Sequence, residues 1–532
     1  METAILFGLV FALLLSGVPV AVSLGLSSII MITFFSNDSV SSVAQQLFTA
    51  SQNYTLLAIP FFILAASFMS TGGVAQRIIR FAIATVGSFR GGLAMASVLA
   101  CMLFAALSGS SPSTVVAIGT IAIAGMRQVG YSKEFAAGIV CNAGTLGILI
   151  PPSIVMVVYA AATDVSVGRM FLAGIIPGLL AGCMLMVTIY VIARVRGLPK
   201  GEWEGWGEFL RAGKDAAWGL FLIIIILGGI YGGVFTPTEA AAVAAVYSFL
   251  IALFVYRDMG PMKGKRFTHE SDSVAARNGF FAWLYALALF CVIMILSFFG
   301  AGEGTIGPRT MVAALVATIA GVAYLVVRQG TGSLVAAGSG LVLLLRNVVY
   351  SLLMAPATIV HRDTRKVMMD AARTTVMLMF IIVNALLFAH VLTSERIPQA
   401  ITDWMLGAGF NWFTFLIAIN VLLLIGGQFM EPSGLLLIVA PVVFPIAIQL
   451  GIDPIHLGII MVVNMEIGMI TPPIGLNLFV TSGITGMSLV QVVRAALPFV
   501  AVLFVFLIII TYVPALSTYV PTALMGPEIV TR

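Results

Sequence analysis

The sequence predicts an all-α, polytopic membrane protein built as an inverted repeat, with two re-entrant helical hairpins and two broken helices. The prediction rests on the composition, an internal repeat and the distribution of basic residues between the two copies. Of the 532 residues, 61% are hydrophobic and 9% are charged, whereas ordinary soluble domains carry about 25% charged residues. Long apolar runs such as 240–255 and 500–513 are typical of membrane helices, because membrane β-strands show short alternating segments. The composition therefore excludes a soluble globule, and the net charge of +5, spread over loops, indicates no nucleic-acid surface.

The internal repeat relates two apolar segments that glycine and proline interrupt. The first contains SGSSPST from residue 108 and NAGTLGILIPPSI from residue 142, and the second contains GGQFMEPSG from residue 426 and NMEIGMITPPIG from residue 464. The pairs that recur at a spacing of 321 positions include Gly147 with Gly468, Pro151 with Pro472, and Pro152 with Pro473. Interrupted apolar segments in corresponding positions of two halves indicate the binding site of a membrane transporter.

Basic residues orient the two copies, because basic loops stay on the cytoplasmic side of a membrane. Arg90 and Arg127 flank the first polar segment, while the corresponding loops of the second copy are neutral or of mixed charge. Both ends of the first segment should therefore lie on one side. Its two arms of about 15 residues are shorter than the roughly 20 residues that a crossing helix needs. The segment is predicted to be a re-entrant hairpin, and its counterpart is predicted to enter from the opposite face.

These observations divide the chain into three parts. The first half, 1–256, contains scaffold helices, hairpin 1 (about 92–127) and a broken helix (about 134–163). The second half, 374–532, contains hairpin 2 (about 412–450) and a broken helix (about 455–486). The insertion between them, 257–373, has basic clusters at both ends, so an even number of crossings is predicted. We assign two extra membrane helices, near 281–299 and 311–327, and a surface arm at 334–358 with Arg346 in its middle.

Polar groups gather at the hairpin tips and at the helix breaks. Tip 1 offers the hydroxyls of Ser108, Ser110, Ser111, Ser113 and Thr114, and the first break offers Asn142 and Thr145. The second copy offers Glu431, Ser433, Asn464, Glu466 and Thr471. Neutral oxygens and interrupted backbone suit a sodium ion, and half-helix N-termini attract an anion. The alternative for the small polar residues is tight helix packing. For Glu431 it is capping of a half-helix, and for Glu466 it is a proton site.

Several long motifs resemble one family, the large membrane subunit of tripartite ATP-independent periplasmic (TRAP) transporters. They include LLAIPFFILAASFMSTGGVAQRI (56–78), SGSSPSTVVAIGTI (108–121), GTLGILIPPSI (144–154) and GVFTPTEAAAVAAVY (233–247). The resemblance covers about 1–256 and 360–520. It implies a secondary transporter of the ion-transporter superfamily that works by an elevator-type motion, with sodium as the coupling ion and no other cofactor. It also implies a bacterial or archaeal cytoplasmic (inner) membrane, a small four-helix membrane subunit, a periplasmic substrate-binding protein and an organic-anion substrate, carboxylates being the family's usual choice.

The resemblance also assigns site residues. Sodium site 1 is expected at Ser108, Ser113, Thr114, Asn142, Gly144 and Gly147, although some relatives have aspartate at the position of Thr114. Sodium site 2 is expected at Gly427, Ser433, Asn464, Glu466, Gly468 and Thr471. Substrate contacts are expected from Ser110, Ser111, Thr145, Pro151, Pro152, Glu431, Pro472, Pro473 and Asn477.

Three other functions stay open from the residues. One is a stand-alone carrier of the same superfamily that needs no binding protein. Another is a proton-coupled carrier that uses Glu466. The third is an intramembrane serine hydrolase with Ser110 or Ser111 as nucleophile, but a histidine base would be needed nearby, and the four histidines of the chain lie far away in sequence. We therefore predict a transporter and not an enzyme.

Overall fold

Helices form all the regular secondary structure in the residues that the computed structural model describes, which are 2–35, 40–52, 54–71, 73–269, 271–300 and 306–526. The predicted insertion and second half also include 301–305 and 527–532, which lie outside the described residues. Ten helices of the described part are long and apolar enough to cross a membrane. The prediction of an all-α, polytopic membrane protein is confirmed.

The helices of the first half precede and follow its hairpin. They are α1 (Glu2–Leu15), α2 (Val20–Phe34), α3 (Val40–Ser51), α4 (Ala58–Thr71, after a 3-10 turn at Tyr54–Leu57), α5 (Val74–Val86), α6 (Gly92–Ser108), α7 (Ser111–Gln128), α8 (Lys133–Ala143, followed by a 3-10 turn at Gly144–Ile148), α9 (Ile154–Thr163), α10 (Val167–Val195), α11 (Gly205–Ile223, followed by a π-helical segment at Ile224–Gly228), α12 (Gly229–Tyr231) and α13 (Pro237–Leu250, followed by a π-helical segment at Ile251–Val255).

The insertion and the second half continue the helical pattern. The insertion contains α14 (Val274–Gly300), α15 (Ile306–Gln329) and α16 (Ser333–Val360), with a 3-10 turn at Gly330–Gly332. The second half contains α17 (Arg362–Ser394), α18 (Ile397–Gly407), α19 (Trp412–Gly427), α20 (Pro432–Gln449), α21 (Pro454–Gly468), α22 (Leu476–Thr485), α23 (Leu489–Tyr512) and α24 (Ala515–Met525).

Both predicted hairpins are helix pairs joined by a short polar tip. In hairpin 1, α6 ends where Gly109 takes a left-handed conformation at φ +56°, and α7 begins with Pro112 in its first turn. Glycine favours the end of a helix and proline its first turn, so the sequence Gly-Ser-Ser-Pro separates the two arms. In hairpin 2, the Glu431 side chain accepts a hydrogen bond from the Gly434 amide at 3.1 Å, capping α20. The capping role considered for Glu431 is therefore present.

Each helix pair is followed by an interrupted helix. The first break lies between α8 and α9, and Ser153 caps the new half-helix by accepting from the Met156 amide. The second lies between α21 and α22, and the Pro151–Pro152 and Pro472–Pro473 bonds within the two breaks are both cis. Every residue of α21 is buried. Interrupted backbone in a membrane must be shielded by protein or line a cavity. The first break is almost entirely buried, whereas residues 472–474 of the second break are exposed.

The insertion packs through a close helix crossing. A methyl group added at Gly340 of α16 would clash with the backbone of Gly279 in α14, so glycine at this crossing lets the two backbones touch. Further along α16, Arg346 pairs with Asp272 at 3.2 Å. By length and composition α16 could cross a membrane. The insertion therefore has three helices that could cross, whereas the sequence predicts two crossings. The surface-arm assignment of 334–358 stays a prediction.

Candidate ion and substrate site

The two hairpin tips and the two helix breaks line one cavity of about 270 Å³. Tip 1 contributes 108–113 and tip 2 contributes 431–433. The residues that the breaks contribute are Ile148, Ile154, Val155, Met469 and Leu476. The remaining wall comes from α4 and α17, including Ser67, Ser70 and Thr374. The fold thus brings the repeated segments, which are far apart in the sequence, to a single space.

A direct hydrogen bond joins the two repeats beside this cavity. Thr145 Oγ1 lies 2.7 Å from Glu466 Oε1, and the two residues are 321 positions apart. The same hydroxyl lies 2.7 Å from the Asn142 carbonyl oxygen. A hydroxyl group donates one hydrogen, so it can serve only one of these acceptors while Glu466 is ionised. A proton on Glu466 would satisfy both contacts, because the acid would then donate to Thr145.

The residues of the expected sodium site 1 lie on tip 1 and at the first break. Asn142 Nδ2 donates to the carbonyls of Gly138 at 2.8 Å and Ala496 at 3.4 Å, which leaves its buried Oδ1 without a partner among the described residues. Ser108 Oγ lies 2.8 Å from Thr114 Oγ1. A methyl group at Gly147 would come within 2.8 Å of the Ser110 carbonyl oxygen. Glycine at this position therefore lets the break approach the tip.

Two further residues of the expected site 1 are placed differently. The Gly144 carbonyl accepts a hydrogen bond from Ser111 Oγ at 3.0 Å, which ties the break to the tip. Ser113 lines the cavity and is half-buried. Gly144 therefore meets the tip through its carbonyl oxygen, while Ser113 faces the space that the two tips share.

The expected sodium site 2 repeats the asparagine geometry. Asn464 Nδ2 donates to the Ile460 carbonyl at 2.8 Å and to Asn420 Oδ1 at 2.7 Å, and its buried Oδ1 has no partner in the described part of the chain. Gly427 and Gly468 touch, since a methyl group at Gly468 would lie 2.7 Å from the Gly427 Cα atom. Ser433 is buried beside the cavity, and Thr471, in the break after α21, donates to the Ile467 carbonyl in the last turn of that helix.

These oxygens fit a sodium ion. A buried oxygen without a hydrogen-bond donor is costly unless another partner satisfies it. Asn142 Oδ1 and Asn464 Oδ1 are both such oxygens, and the two residues match to within one residue of the repeat spacing. Oxygen ligands on interrupted helices suit sodium. Among the described residues, no group of three or more His, Cys, Asp or Glu side chains could hold a metal ion. The two orphan atoms are amide oxygens, which are the kind of ligand that a small hard cation accepts.

The residues expected to contact substrate fall into two groups. Ser110, Ser111 and Glu431 line the cavity. Asn477 lies behind it, where Nδ2 donates to Ser111 Oγ at 2.7 Å. Thr145 faces Glu466, as described above, and the four prolines of the breaks lie outside the cavity lining, with Pro472 and Pro473 exposed. The cavity thus contains three of the nine expected contacts, and Asn477 positions one of those three.

Sequence reasoning missed several polar residues of this region. Ser67 and Ser70 lie one turn apart on α4 and both face the cavity, as Thr374 does from α17. Asn420 on α19 holds the amide of Asn464 and donates to Thr511 Oγ1 at 3.1 Å. The polar pair at positions i and i+3 of an apolar helix was a readable signal for the two serines. Asn420 has no counterpart in the first copy, so the repeat gave no signal for it.

Comparison with known proteins finds one family and several relatives that match nearly the whole chain. The family described as "Tripartite ATP-independent periplasmic transporter, DctM component" matches residues 7–296 and 281–516. The C4-dicarboxylate TRAP transporter large permease protein DctM of Vibrio cholerae serotype O1 is 59% identical over 533 residues, which is 100% of each chain. The protein of the same description from Pseudomonas aeruginosa is 52% identical over 94% of this chain and 93% of its own. The isethionate TRAP transporter permease protein DctMQ of Oleidesulfovibrio alaskensis is 35% identical over 97% of this chain and 66% of its own.

The matches extend over nearly all of the chain, including both hairpins, both breaks and the insertion between the two halves. They agree with the motifs that predicted a transporter and not an enzyme. The chain belongs to the family of DctM components of tripartite ATP-independent periplasmic transporters, which are transporter permeases.

Proposed function

We propose that this chain is the permease subunit of a sodium-coupled secondary transporter that imports C4-dicarboxylates. The two relatives with the highest identities given above are both described as C4-dicarboxylate permeases. A third relative is described as an isethionate transporter permease, and isethionate is another small organic anion. The common chemistry is a small anion, and the cavity between the hairpin tips offers the space for it.

The observation that carries the proposal is the convergence of four helix N-termini on this cavity. The first residues of α7, α9, α20 and α22 all contribute to its lining. A helix N-terminus presents N–H groups and the positive end of the helix dipole, which favour an anion. At α20 the Glu431 carboxylate already accepts from the Gly434 amide, so α7, α9 and α22 are the helix ends left for a substrate anion. Two of the four come from each repeat. This arrangement suits a substrate with two carboxylates, one facing each repeat.

Sodium coupling is supported by the paired asparagines. A sodium ion beside Asn142 and another beside Asn464 would satisfy the orphan Oδ1 atoms and would add positive charge near the same helix ends. An anion in the cavity and cations beside it would then stabilise one another. Because the neutral oxygens belong both to the tips and to the breaks, ion binding would hold each tip against its break.

Transport is proposed to follow an elevator-type motion. The cavity is bounded on one side by the hairpins and breaks and on the other by α4 and α17. Movement of the first group past the second would carry the cavity and its contents across the membrane, while the hydrogen bonds between tips and breaks stay intact. The polar wall residues Ser67, Ser70 and Thr374 would then contact substrate in only part of the cycle.

The partners proposed are a small four-helix membrane subunit and a periplasmic substrate-binding protein, in the bacterial cytoplasmic membrane. The family description is tripartite, which supports two components besides this one. The relative described as DctMQ is longer than the part that this chain matches, which is 66% of it. That extra length supports a further membrane component that is fused in one relative and separate in another.

A proton-coupled carrier is the second candidate, and one observation favours it. The Thr145 hydroxyl faces two acceptors at hydrogen-bond distance, a geometry that a protonated Glu466 completes. A carboxyl group that carries a proton in the membrane interior is a candidate proton site. The stand-alone carrier has no comparable observation in its favour.

Uptake into proteoliposomes that contain both membrane components tests the proposal. A labelled C4-dicarboxylate is added with the binding protein, and sodium and pH gradients are imposed separately. We expect uptake to follow the inward sodium gradient and to require the binding protein. Uptake that follows the pH gradient without sodium would replace the proposal with the proton-coupled alternative. Equal uptake without binding protein would support a stand-alone carrier.

A further inference from the structure

An apolar crevice of about 540 Å³ lies between the first half and the insertion. One wall comes from α11, its π-helical extension and α13, and the other wall comes from Leu287, Ala288 and Cys291 of α14. Tyr247 is the one hydroxyl side chain of the lining, and it is satisfied by donating to the Trp218 carbonyl at 2.7 Å. The lining of the crevice is therefore apolar, and burial of an apolar ligand there is favourable.

The length of the crevice suits an extended hydrocarbon chain. Its lining runs from Ala217 to Gly229 along the helix, and these residues cover about 18 Å at about 1.5 Å per residue. An acyl chain can lie along this length against apolar side chains on both walls.

A cation stands at one end of the crevice. Lys214 lies one turn before Trp218 on α11, is exposed, and has its ammonium 5.1 Å and 4.7 Å from the ring centroids of Phe281 and Tyr285 on α14. The neighbouring carboxylate, Asp215, is paired with Arg80 at 2.7 Å. Within the described residues, Lys214 has no carboxylate at ion-pair distance. The ammonium is therefore available to an anionic headgroup.

The other end of the crevice carries the opposite charge. Val234 and Phe235 close that end, and the capping box of Thr236 and Glu239 follows directly. The Glu239 carboxylate accepts from the Thr236 amide at 2.8 Å and is exposed. A cation at one end and a carboxylate at the other give the crevice a direction, because an anionic headgroup is attracted to the first end and repelled from the second.

We propose that this crevice is a binding site for an anionic glycerophospholipid, with its phosphate at Lys214 and an acyl chain between α11 and α14. Basic groups between membrane helices near the bilayer surface bind lipid headgroups, and Lys214 extends over aromatic rings at that level. The lipid joins the insertion to the first half, where the crevice would otherwise leave apolar side chains without contacts. This role belongs to the insertion and does not depend on the transported substrate or the coupling ion.

Native mass spectrometry of the full chain tests the site with phosphatidylglycerol and phosphatidylcholine supplied in detergent. We expect one phosphatidylglycerol to stay bound. The charge reversal Lys214→Glu should lower the preference for phosphatidylglycerol at least about fivefold, since one basic residue near the surface contributes about 1 kcal/mol. Lys214→Arg should keep the preference. Ala288→Phe fills the crevice and should remove both lipids, while Val246→Phe, on the exposed face of α13, should bind like the wild type.

Labelling of Cys291 gives a second measurement, which does not depend on the crevice-filling substitution Ala288→Phe. In a Cys183→Ser chain the remaining cysteines are Cys291, which is exposed, and Cys101 and Cys141, which are buried. Phosphatidylglycerol should slow the reaction of Cys291 with a lipophilic maleimide at least about fivefold, and more than phosphatidylcholine does. Equal protection by the two lipids, unchanged preference in Lys214→Glu, or protection only by the small membrane subunit would overturn the proposal.

Discussion

Thr145 and Glu466 occupy equivalent positions in the two repeats and form a hydrogen bond with each other at 2.7 Å. Residues related by a pseudo-two-fold rotation can touch only where both lie close to the axis. The inverted repeat predicted from the sequence would therefore have its axis between the two breaks, at this contact. A substitution of either residue should therefore affect both copies of the site.

The first prediction concerns the proton at this bond. Glu466→Gln should fold and keep sodium-driven uptake within about threefold of the wild type, because the glutamine amide can donate to Thr145 as a protonated acid does. Uptake under separate sodium and pH gradients is the measurement. Thr145→Val is the matched change, and it should reduce uptake by about tenfold, since the buried Glu466 then loses its partner. Complete loss of uptake in Glu466→Gln alone would make Glu466 a proton carrier.

The second prediction concerns the orphan oxygens. Asn142→Leu or Asn464→Leu removes one Oδ1 that has no protein partner, so each should abolish sodium-driven uptake while the chain still folds and assembles. The measurement is the sodium dependence of uptake, together with sodium-dependent thermal stabilisation of the purified protein. Asn384 lies on α17, where its amide donates to the Phe380 carbonyl, and Asn384→Leu is the control. Wild-type sodium dependence in both site variants would contradict the assignment of these oxygens.

The third prediction separates the two asparagines. Backbone carbonyls hold the Asn142 amide, whereas the side chain of Asn420 holds the Asn464 amide at 2.7 Å. Asn420→Leu should therefore raise the sodium concentration for half-maximal uptake about tenfold, because a buried hydrogen bond of this kind contributes about 1–1.5 kcal/mol. The maximal rate at saturating sodium should stay close to that of the wild type.

A double-mutant cycle gives the control for Asn420. Thr511 accepts from Asn420 at 3.1 Å, so Thr511→Val and Asn420→Leu should be non-additive in their effect on sodium dependence. Thr518→Val, at a half-buried position of α24 where the hydroxyl donates to the Pro514 carbonyl, should have no effect. If Asn420 had only a structural role, Asn420→Leu would lower the thermal stability by the same amount with and without sodium.

The sequence predicted the hairpins and breaks because the repeat showed them twice. Glycine and proline end helices for local reasons, so the tips at Gly109 and Glu431 and the breaks before Pro151 and Pro472 could be read without knowledge of packing. The sequence could not predict that Asn142 Oδ1 lacks a hydrogen-bond partner, because this depends on which carbonyl oxygens accept from the side-chain amide. One of these is Ala496, 354 residues away.

Contacts between elements with no repeat partner were also beyond sequence reasoning. Asn420 is a single asparagine in an apolar helix, and its significance appears only when α19 packs beside α21. Arg346 was placed on a surface arm for its charge, but its partner Asp272 depends on how α16 crosses α14. Composition gives the elements and local caps, whereas the pairing of distant side chains requires the packed structure.

The last prediction concerns the path of the insertion through the membrane. The Gly260 amide donates to the Asp363 carboxylate at 3.2 Å, so the loop before α14 and the start of α17 touch. Arg257 Nη2 also donates to Asn347 Oδ1 at 3.2 Å, which holds the middle of α16 against that same loop. Both ends of the insertion must then lie on one side, and the number of crossings between them must be even. Because α14 and α15 account for two, the second half of α16 should lie along the surface.

Cysteine accessibility in intact cells measures this path. In a chain whose four native cysteines are replaced by serine, Lys263→Cys and Lys366→Cys, both at exposed positions, should resist an impermeant maleimide added from outside. Both should react once the membrane is permeabilised. Leu353→Cys, in the second half of α16, should behave like these two positions, since a surface arm stays on their side. Labelling of Lys366→Cys from outside, with Lys263→Cys protected, would mean that α16 crosses the membrane.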